Sequence, residues 1–493
     1  MQERTPTTAA APAAEPQAPA RATVGRNALL LTGATIAARL ATFALAIAMG
    51  RALGAESYGL YGLASAIATV VVPVADLGLT PYVVREVARL GGSSRDLVRR
   101  CAAVKALTSL GTLALAGLAV LALRPDGELA AALLLVLAAT LADGVAQFVF
   151  GFFQGRERMG FEAAATTATS LARSAGGIAL VVALGELEPV LVWIAATSLA
   201  QMALTALRLR RALREAAPAA VSPPPRGIAW GSVTAMGLVT IFAMVYLRAD
   251  SILIGAISGE EEVGWYTAAY TLMAALQIVP WMLAVALAPV FARTHAGDRA
   301  AFARAWERGV RAVALLALPL ALVTSLLATP IVERLYGAGF GAGGSALAIL
   351  AWSTPVWALN MVVSGALRGA HRERWLTVVT GGGALLNVAL NVWAIDAFGI
   401  DGAAAVTVAT EGAVLVALAA LALRAGIVAP PRLPLARIAV ALAVAAAVAV
   451  AGRDLEVLVV APAAALAYAA ALAAMRVLGA DELAAIRGAM ARR

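Results

Sequence analysis

Fourteen apolar runs alternate with short polar connections along this chain. In the first half they span about 27–49, 59–84, 101–123, 129–154, 161–184 and 190–207. In the second they span about 228–257, 265–292, 309–331, 344–367, 375–397 and 402–423, followed by an Ala/Val-rich pair at about 435–451 and 457–477. At about 1.5 Å per residue, each can cross a hydrocarbon core of about 30 Å once tilt and interfacial residues are allowed for, 435–451 being the weakest. The pattern predicts an all-α polytopic membrane protein with about fourteen transmembrane helices. Residues 1–20 are Ala, Pro and Thr with scattered charges, too poor in bulky side chains to fold alone, and are expected to form a disordered tail. The run that follows is long for the apolar part of a cleaved signal peptide and carries Arg39, so it reads as the first membrane helix.

If the runs span a membrane, alternate connections must differ in arginine content. One set holds twenty-three arginines, among them Arg85, Arg89, Arg99, Arg156, Arg158, Arg210, Arg304, Arg372 and Arg432. The other holds only Arg51, Arg124, Arg334 and Arg453. A miscounted run in the middle would scramble this alternation. An even number of spans with both termini cytoplasmic follows, in a cytoplasmic (inner) membrane.

The stretch Gly50 to Tyr61, GRALGAESYGLY, recurs 205 positions later as GAISGEEEVGWY, Gly255 to Tyr266. Gly50, Gly54, Glu56, Gly59 and Tyr61 fall on Gly255, Gly259, Glu261, Gly264 and Tyr266. A second echo, Gly155-Arg156-Glu157-Arg158 against His371-Arg372-Glu373-Arg374, has an offset of 216. The Pro-rich linker ending in SPPPR separates six runs from eight. Two six-helix lobes forming a parallel repeat, plus a C-terminal helix pair, are therefore expected. The divisions are a cytoplasmic tail 1–26, an N-lobe 27–207, a linker 208–227, a C-lobe 228–423, and 424–493 for the last pair and its tail.

Composition narrows the chemistry. With 62% apolar and 14% charged residues the chain is no water-soluble globule. Its formal charge of +9 resides in loop arginines, which points to membrane topology rather than a nucleic-acid partner. Lys105 is the single lysine. One cysteine, Cys101, excludes an internal disulfide and a Cys-based metal cluster, and His295 and His371 both lie in basic loops. No cofactor, metal or catalytic residue is expected.

The chain resembles the polysaccharide flippases, the Wzx-like branch of the multidrug/oligosaccharidyl-lipid/polysaccharide exporter superfamily. The resemblance rests on GRALGAESYGLY, on ADLGLTPYVVREVA (Ala75 to Ala88), and on RADSILIGAISGEEEVGWYTAAYTL (Arg248 to Leu272). ERLYGAGFGAG (Glu333 to Gly343) and FGIDGAAAVTVATEG (Phe398 to Gly412) add to it. It covers the first twelve runs. It implies two six-helix lobes facing each other in a V, and movement of a polyprenyl-diphosphate-linked oligosaccharide to the outer leaflet by alternating access, for cell-surface polysaccharide synthesis. Asp250 matches the aspartate usual in the seventh helix of that family.

Ionisable groups within the spans point to function, because each costs about 2.5 to 3.5 kcal/mol at mid-helix. Arg39, Asp143, Arg173, Asn387 and Glu411 all lie about twelve residues from the cytoplasmic ends of their runs, roughly 17 to 18 Å deep. One polar layer across five helices suggests a hydrated cavity between the lobes. Asp143 and Arg173 lie at equal depth on consecutive runs, so a salt bridge stapling two helices explains them equally well. Arg39 lacks such a local partner. Arginine suits phosphate because its guanidinium stays charged and forks toward two oxygens. Arg39, Arg173, Arg248, Asn387 and Asn360 are the candidate substrate-binding residues. Asp143, Glu411 and Asp76 are the candidates for coupling to a proton or sodium ion. Pro73 beside Asp76, and Pro280 and Pro289 near Gln277, predict paired kinks.

A multidrug or cation antiporter shares the architecture but would favour acidic and aromatic groups in its cavity. A cell-wall lipid-precursor flippase is an alternative within the superfamily. A membrane-embedded polysaccharide polymerase or ligase needs a sizeable outer loop with catalytic groups, and the outer loops here are short. Such a polymerase is instead a candidate partner, beside membrane lipid.

Overall fold

The computed structural model describes residues 21–123, 125–215, 227–294 and 297–477; the predicted tail over 1–20 lies outside these residues. All described elements are helical. They are α1 (Arg21–Asp76), α2 (Leu79–Leu90), α3 (Arg95–Leu123), α4 (Gly127–Gln154), α5 (Gly160–Leu184), α6 (Leu187–Glu215), α7 (Trp230–Ile257) and α8 (Glu260–Leu276). There follow α9 (Ile278–Thr294), α10 (Arg299–Leu326), α11 (Ala328–Tyr336), α12 (Gly343–Leu350), α13 (Ser353–Gly369), α14 (Glu373–Arg424), α15 (Leu435–Ala451) and α16 (Val457–Ala474).

Among the described residues, ten helices are long and apolar enough to cross a membrane. Two of them break at a glycine and supply two runs each: α1 at Gly54 and α14 at Gly399. The seventeen-residue α15 and the broken pair α8–α9 account for the other two predicted runs. The helices overshoot their apolar runs on the arginine-rich side. α6 continues through Arg208–Arg214 because Leu209 and Leu213 keep an apolar face that is buried, so the first part of the predicted linker is helix. α10 starts at Arg299 for the same reason, with Phe302 and Trp306 buried.

The repeat is visible in the backbone. Gly54 has φ 80°, ψ 176° and Gly259 has φ 94°, ψ 179°, a conformation that is essentially glycine-only. The two copies also pack on each other reciprocally. A Cβ at Gly59 would overlap the Glu260 carbonyl, and one at Gly264 would overlap the carbonyl of Ala55. Shifting either contact by 205 positions yields the other. The second echo needs a different register. Arg158 N–H and Arg372 N–H bond back to Phe153 and Leu367, and the left-handed residues before them are Glu157 and His371, which equates the turns at an offset of 214 rather than 216.

The largest apolar cluster joins the two halves on the arginine-poor side. It includes Met49, Tyr58 and Leu63 of α1, Val136 of α4, Tyr266 of α8, Val332 and Tyr336 of α11, Phe340, and Ile400 of α14. Tyr58, Tyr336 and Phe340 meet with ring centroids 5.2 to 6.1 Å apart. The motifs GRALGAESYGLY, GEEEVGWY and ERLYGAGFGAG thus converge in one seal. α15 and α16 pack on α10, with Ala441, Ala445 and Tyr468 sharing a cluster with Leu315 and Leu327.

Candidate functional site

The polar side chains inside the helices fall into separate groups. In the first half, Arg173 of α5 donates from Nη2 to both carboxylate oxygens of Asp143 on α4, each at 3.1 Å. Nη2 also reaches Ser198 Oγ at 2.7 Å, and Nε reaches Thr197 Oγ1 at 3.3 Å, both on α6. The guanidinium is therefore committed to three helices of one half.

Closer to the arginine-rich side, Lys105 of α3 is buried and donates to Asp76 Oδ1 at 2.9 Å. Asp76 also accepts from the Thr80 hydroxyl at 2.7 Å and from its amide at 3.2 Å. Beyond it the chain leaves helical geometry through Leu77 (φ 54°) and Gly78 (φ 88°) before α2 begins. The predicted kink is thus a complete break two residues long. The other half has a gentler counterpart, where α8 ends and α9 begins at Gln277.

In the second half a network crosses three helices. Glu411 of α14 accepts from Tyr246 of α7 at 3.0 Å and from Asn360 of α13 at 2.7 Å. Beside it, Asn387 donates to Thr410, the residue before Glu411, at 3.0 Å and accepts from Asn391 at 3.0 Å. The amide oxygens of Asn360 and Asn391 are buried without a donor. Nearby, Asp250 accepts from Tyr266 at 2.6 Å and from the Ser251 amide at 2.8 Å.

Two further arginines lie within the spans. Arg39 lies over the Trp281 ring at 5.4 Å, joining α1 to α9, and its own side chain is exposed. Arg248 lies over Tyr270 at 5.6 Å. Among the described residues neither guanidinium is hydrogen-bonded to a carboxylate.

The family follows from comparison with known proteins. Residues 24–295 match the model of the family described as polysaccharide biosynthesis proteins. The chain belongs to this family. Residues 235–393 also match the MatE family model. A search of curated proteins gave no significant match. Among solved structures, the fold is similar to one described as "Lipid II flippase MurJ, inward closed conformation", with TM-score 0.71 at 12% identity over 91% of this chain and 98% of that one. It is similar also to a "multidrug resistance MATE family transporter of the MOP superfamily" facing inward, with TM-score 0.61 at 16% identity over 78% and 94%. A MOP superfamily transporter from Pyrococcus furiosus Vc1 gives TM-score 0.52 at 17% identity over 80% and 95%. The protein is a multi-pass membrane protein with the fold of these transporters and flippases.

In this chain the five groups expected in one layer resolve into three places. Asp143 and Arg173 face each other in the first half, Asn387 and Glu411 share the second-half network with Asn360, and Arg39 stands between α1 and α9. Asp76 is occupied by Lys105. Sequence reading noted Lys105 as the sole lysine but did not follow its place inside an apolar run, which was the available signal. Tyr246, Trp281, Tyr270 and Asn391 were missed because aromatic and amide side chains in apolar runs carry no sign of what they face.

Proposed function

We propose that this protein is a lipid-linked oligosaccharide flippase, moving a polyprenyl-diphosphate glycan from the cytoplasmic to the outer leaflet by alternating access of two six-helix lobes. The arginine-rich side is then cytoplasmic, as are both termini. The observation that carries the reading is the pair Arg39 and Arg248, two intramembrane guanidiniums set over aromatic rings and, among the described residues, not hydrogen-bonded to a carboxylate. Such groups recognise a diphosphate or an acidic sugar, whereas Arg173 already pairs with the Asp143 carboxylate and bonds Ser198 and Thr197. The similarity to a protein described as a lipid II flippase supports a lipid-linked substrate.

Coupling falls to Glu411. Asp76 and Asp143 are neutralised by Lys105 and Arg173, while Glu411 is held by neutral donors beside amide oxygens that have none. A proton or sodium ion is the coupling species this environment suits. Asn360 and Asn387, expected at the substrate, instead fit the frame around this carboxylate.

The test is flipping of a fluorescent polyprenyl-diphosphate oligosaccharide by purified protein in vesicles. The reading predicts transport that drops at least tenfold on replacing Arg39 and Arg248 together with glutamine. Wild-type rates in that variant, at normal abundance, would sink it. The MatE match sustains a second reading, a multidrug or cation antiporter; uptake of cationic drugs with no effect on the lipid-linked glycan would favour it.

A further inference from the structure

The break after Asp76 turns α2 onto α7, and the contact it makes there is of an unusual kind. A Cβ on Gly78 would overlap the Val233 carbonyl and the Gly237 amide, and one on Gly237 would overlap the Leu77 carbonyl. One turn further along α2, Tyr82 Oη accepts from the amide of Ala229 at 3.2 Å. Positions 78 and 82 therefore run antiparallel to 237, 233 and 229, meeting once per turn. Leu79 and Val233 are both fully buried in one cluster at this joint. Backbones come this close only where no side chain intervenes.

α2 is at the same time bound into the first half. Gly151 of α4 and Gly155, which caps that helix, leave room for Thr80, Val84 and Val87. The α2–α7 joint is thus a seam between halves, lying on the arginine-rich side of the Gly59–Gly264 seal. Its geometry depends on the break. Leu77 in the left-handed region is unfavourable by about 1 kcal/mol or more, so something must hold it there. Asp76 does so by capping Thr80 on one side of the break while tied to Lys105, and Thr108 of α3 donates to the Ala75 carbonyl at 2.6 Å.

We propose that the α2–α7 seam is the inner gate of the transporter, and that Lys105 is a positioning residue which, through Asp76, fixes the break that lets Gly78 dock on Gly237. The seam separates when the cavity opens to the arginine-rich side. The pair Lys105–Asp76 is not a coupling site but the brace of this gate. The proposal is independent of what is transported.

The test is one-sided thiol labelling. A cysteine is placed at Val233, buried within the seam, with Cys101→Ser as background, and a membrane-impermeant maleimide is added to vesicles of either orientation. Labelling is expected to be slow from both sides with the seam intact. Gly237→Leu and Lys105→Met are each expected to speed it at least tenfold, from the arginine-rich side only, and Lys105→Arg to keep it slow. A bridge that served only folding would alter abundance without this sidedness. Unchanged labelling in Gly237→Leu and Lys105→Met at normal abundance, or equal labelling from both sides, overturns the gate. If Gly237→Leu does not accumulate, Gly237→Ala adds one methyl against the Leu77 carbonyl. A several-fold one-sided increase supports the proposal, and none overturns it.

Discussion

Gly59 rests on the carbonyl of Glu260, and Gly264, its counterpart in the repeat, rests on the carbonyl of Ala55. Neither has space for a side chain, and the opposing atoms are backbone, which cannot rotate away. Gly59→Leu or Gly264→Leu should therefore open the arginine-poor seal, at a cost of about 1 to 3 kcal/mol or more from overpacking. Met49→Cys, buried in that seal, reports it. Its labelling from the arginine-poor side should rise in both variants and stay low in Gly111→Leu, whose Cβ would meet nothing.

Gly54 and Gly259 make a contrasting pair, for the space around both is open. Their constraint is the backbone itself, with φ near 80° to 94° and extended ψ. Alanine at either site should cost about 1 to 3 kcal/mol although it touches nothing. Asparagine should not rescue it, because its tolerance is for the left-handed helical region and not for extended ψ. Thermal unfolding in detergent measures both effects. Equal melting of Gly54→Ala and the parent protein would refute the argument.

The Asp143–Arg173 pair is about one quarter to one third exposed, so its worth lies between those of a surface pair and a buried one. As a staple of α4, α5 and α6, it predicts that Asp143→Asn alone leaves the guanidinium uncompensated and lowers stability. Asp143→Asn with Arg173→Gln should recover part of the loss, with a coupling of about 1 to 3 kcal/mol in a double-mutant cycle. Flipping by the double variant should exceed that of Asp143→Asn. If the double variant is no better than the single, the pair is not a staple.

How much of this was written in the sequence depends on range. Apolar period and arginine alternation are local quantities summed over many residues, so the helical runs were legible. The repeat stretch was legible because its glycines are imposed either by a backbone geometry that only glycine adopts, as at Gly54 and Gly259, or by close backbone approach, as at Gly59 and Gly264. The seam at Gly78 and Gly237 was not. Gly237 lies in an apolar run where glycine is unremarkable, and its reason is the carbonyl of Leu77, in a break between helices 160 positions away. Arg39 and Glu411 lie at similar depths in the sequence, but depth along a helix says nothing of azimuth. Residues at one depth on different helices belong to one site only if their helices turn them inward together.

Glu411 accepts from two neutral donors, Tyr246 and Asn360. Removing the Tyr246 hydroxyl should cost about 0.5 to 1.5 kcal/mol, or up to about 3 if the carboxylate is charged, and leave the carboxylate able to bind an ion. Glu411→Gln removes that ability while keeping shape and size. Tyr246→Phe is therefore expected to retain transport driven by an ion gradient at a rate reduced several-fold, and Glu411→Gln to lose the gradient dependence while still accumulating in the membrane. Gradient-driven flipping in vesicles measures both. A Glu411→Gln protein that still responds to proton and sodium gradients would remove this carboxylate from the mechanism.

Arg39 and Trp281 offer the sharpest separation of charge from geometry. The indole face attracts a cation by about 0.5 to 2 kcal/mol, and it sets the guanidinium at the junction of α1 with α9. Lysine keeps the charge but loses the planar fork that binds two phosphate oxygens at once. If a diphosphate is the ligand, Arg39→Lys should retain measurable flipping with a raised KM, whereas Arg39→Gln should lose at least tenfold. Trp281→Leu, which leaves the charge but frees its position, should fall between them. Equal rates for Arg39→Lys and Arg39→Gln would mean that charge at this position is not read by the substrate. A neutral polyprenyl-linked analogue supplies the internal control, because its transport should be indifferent to all three substitutions.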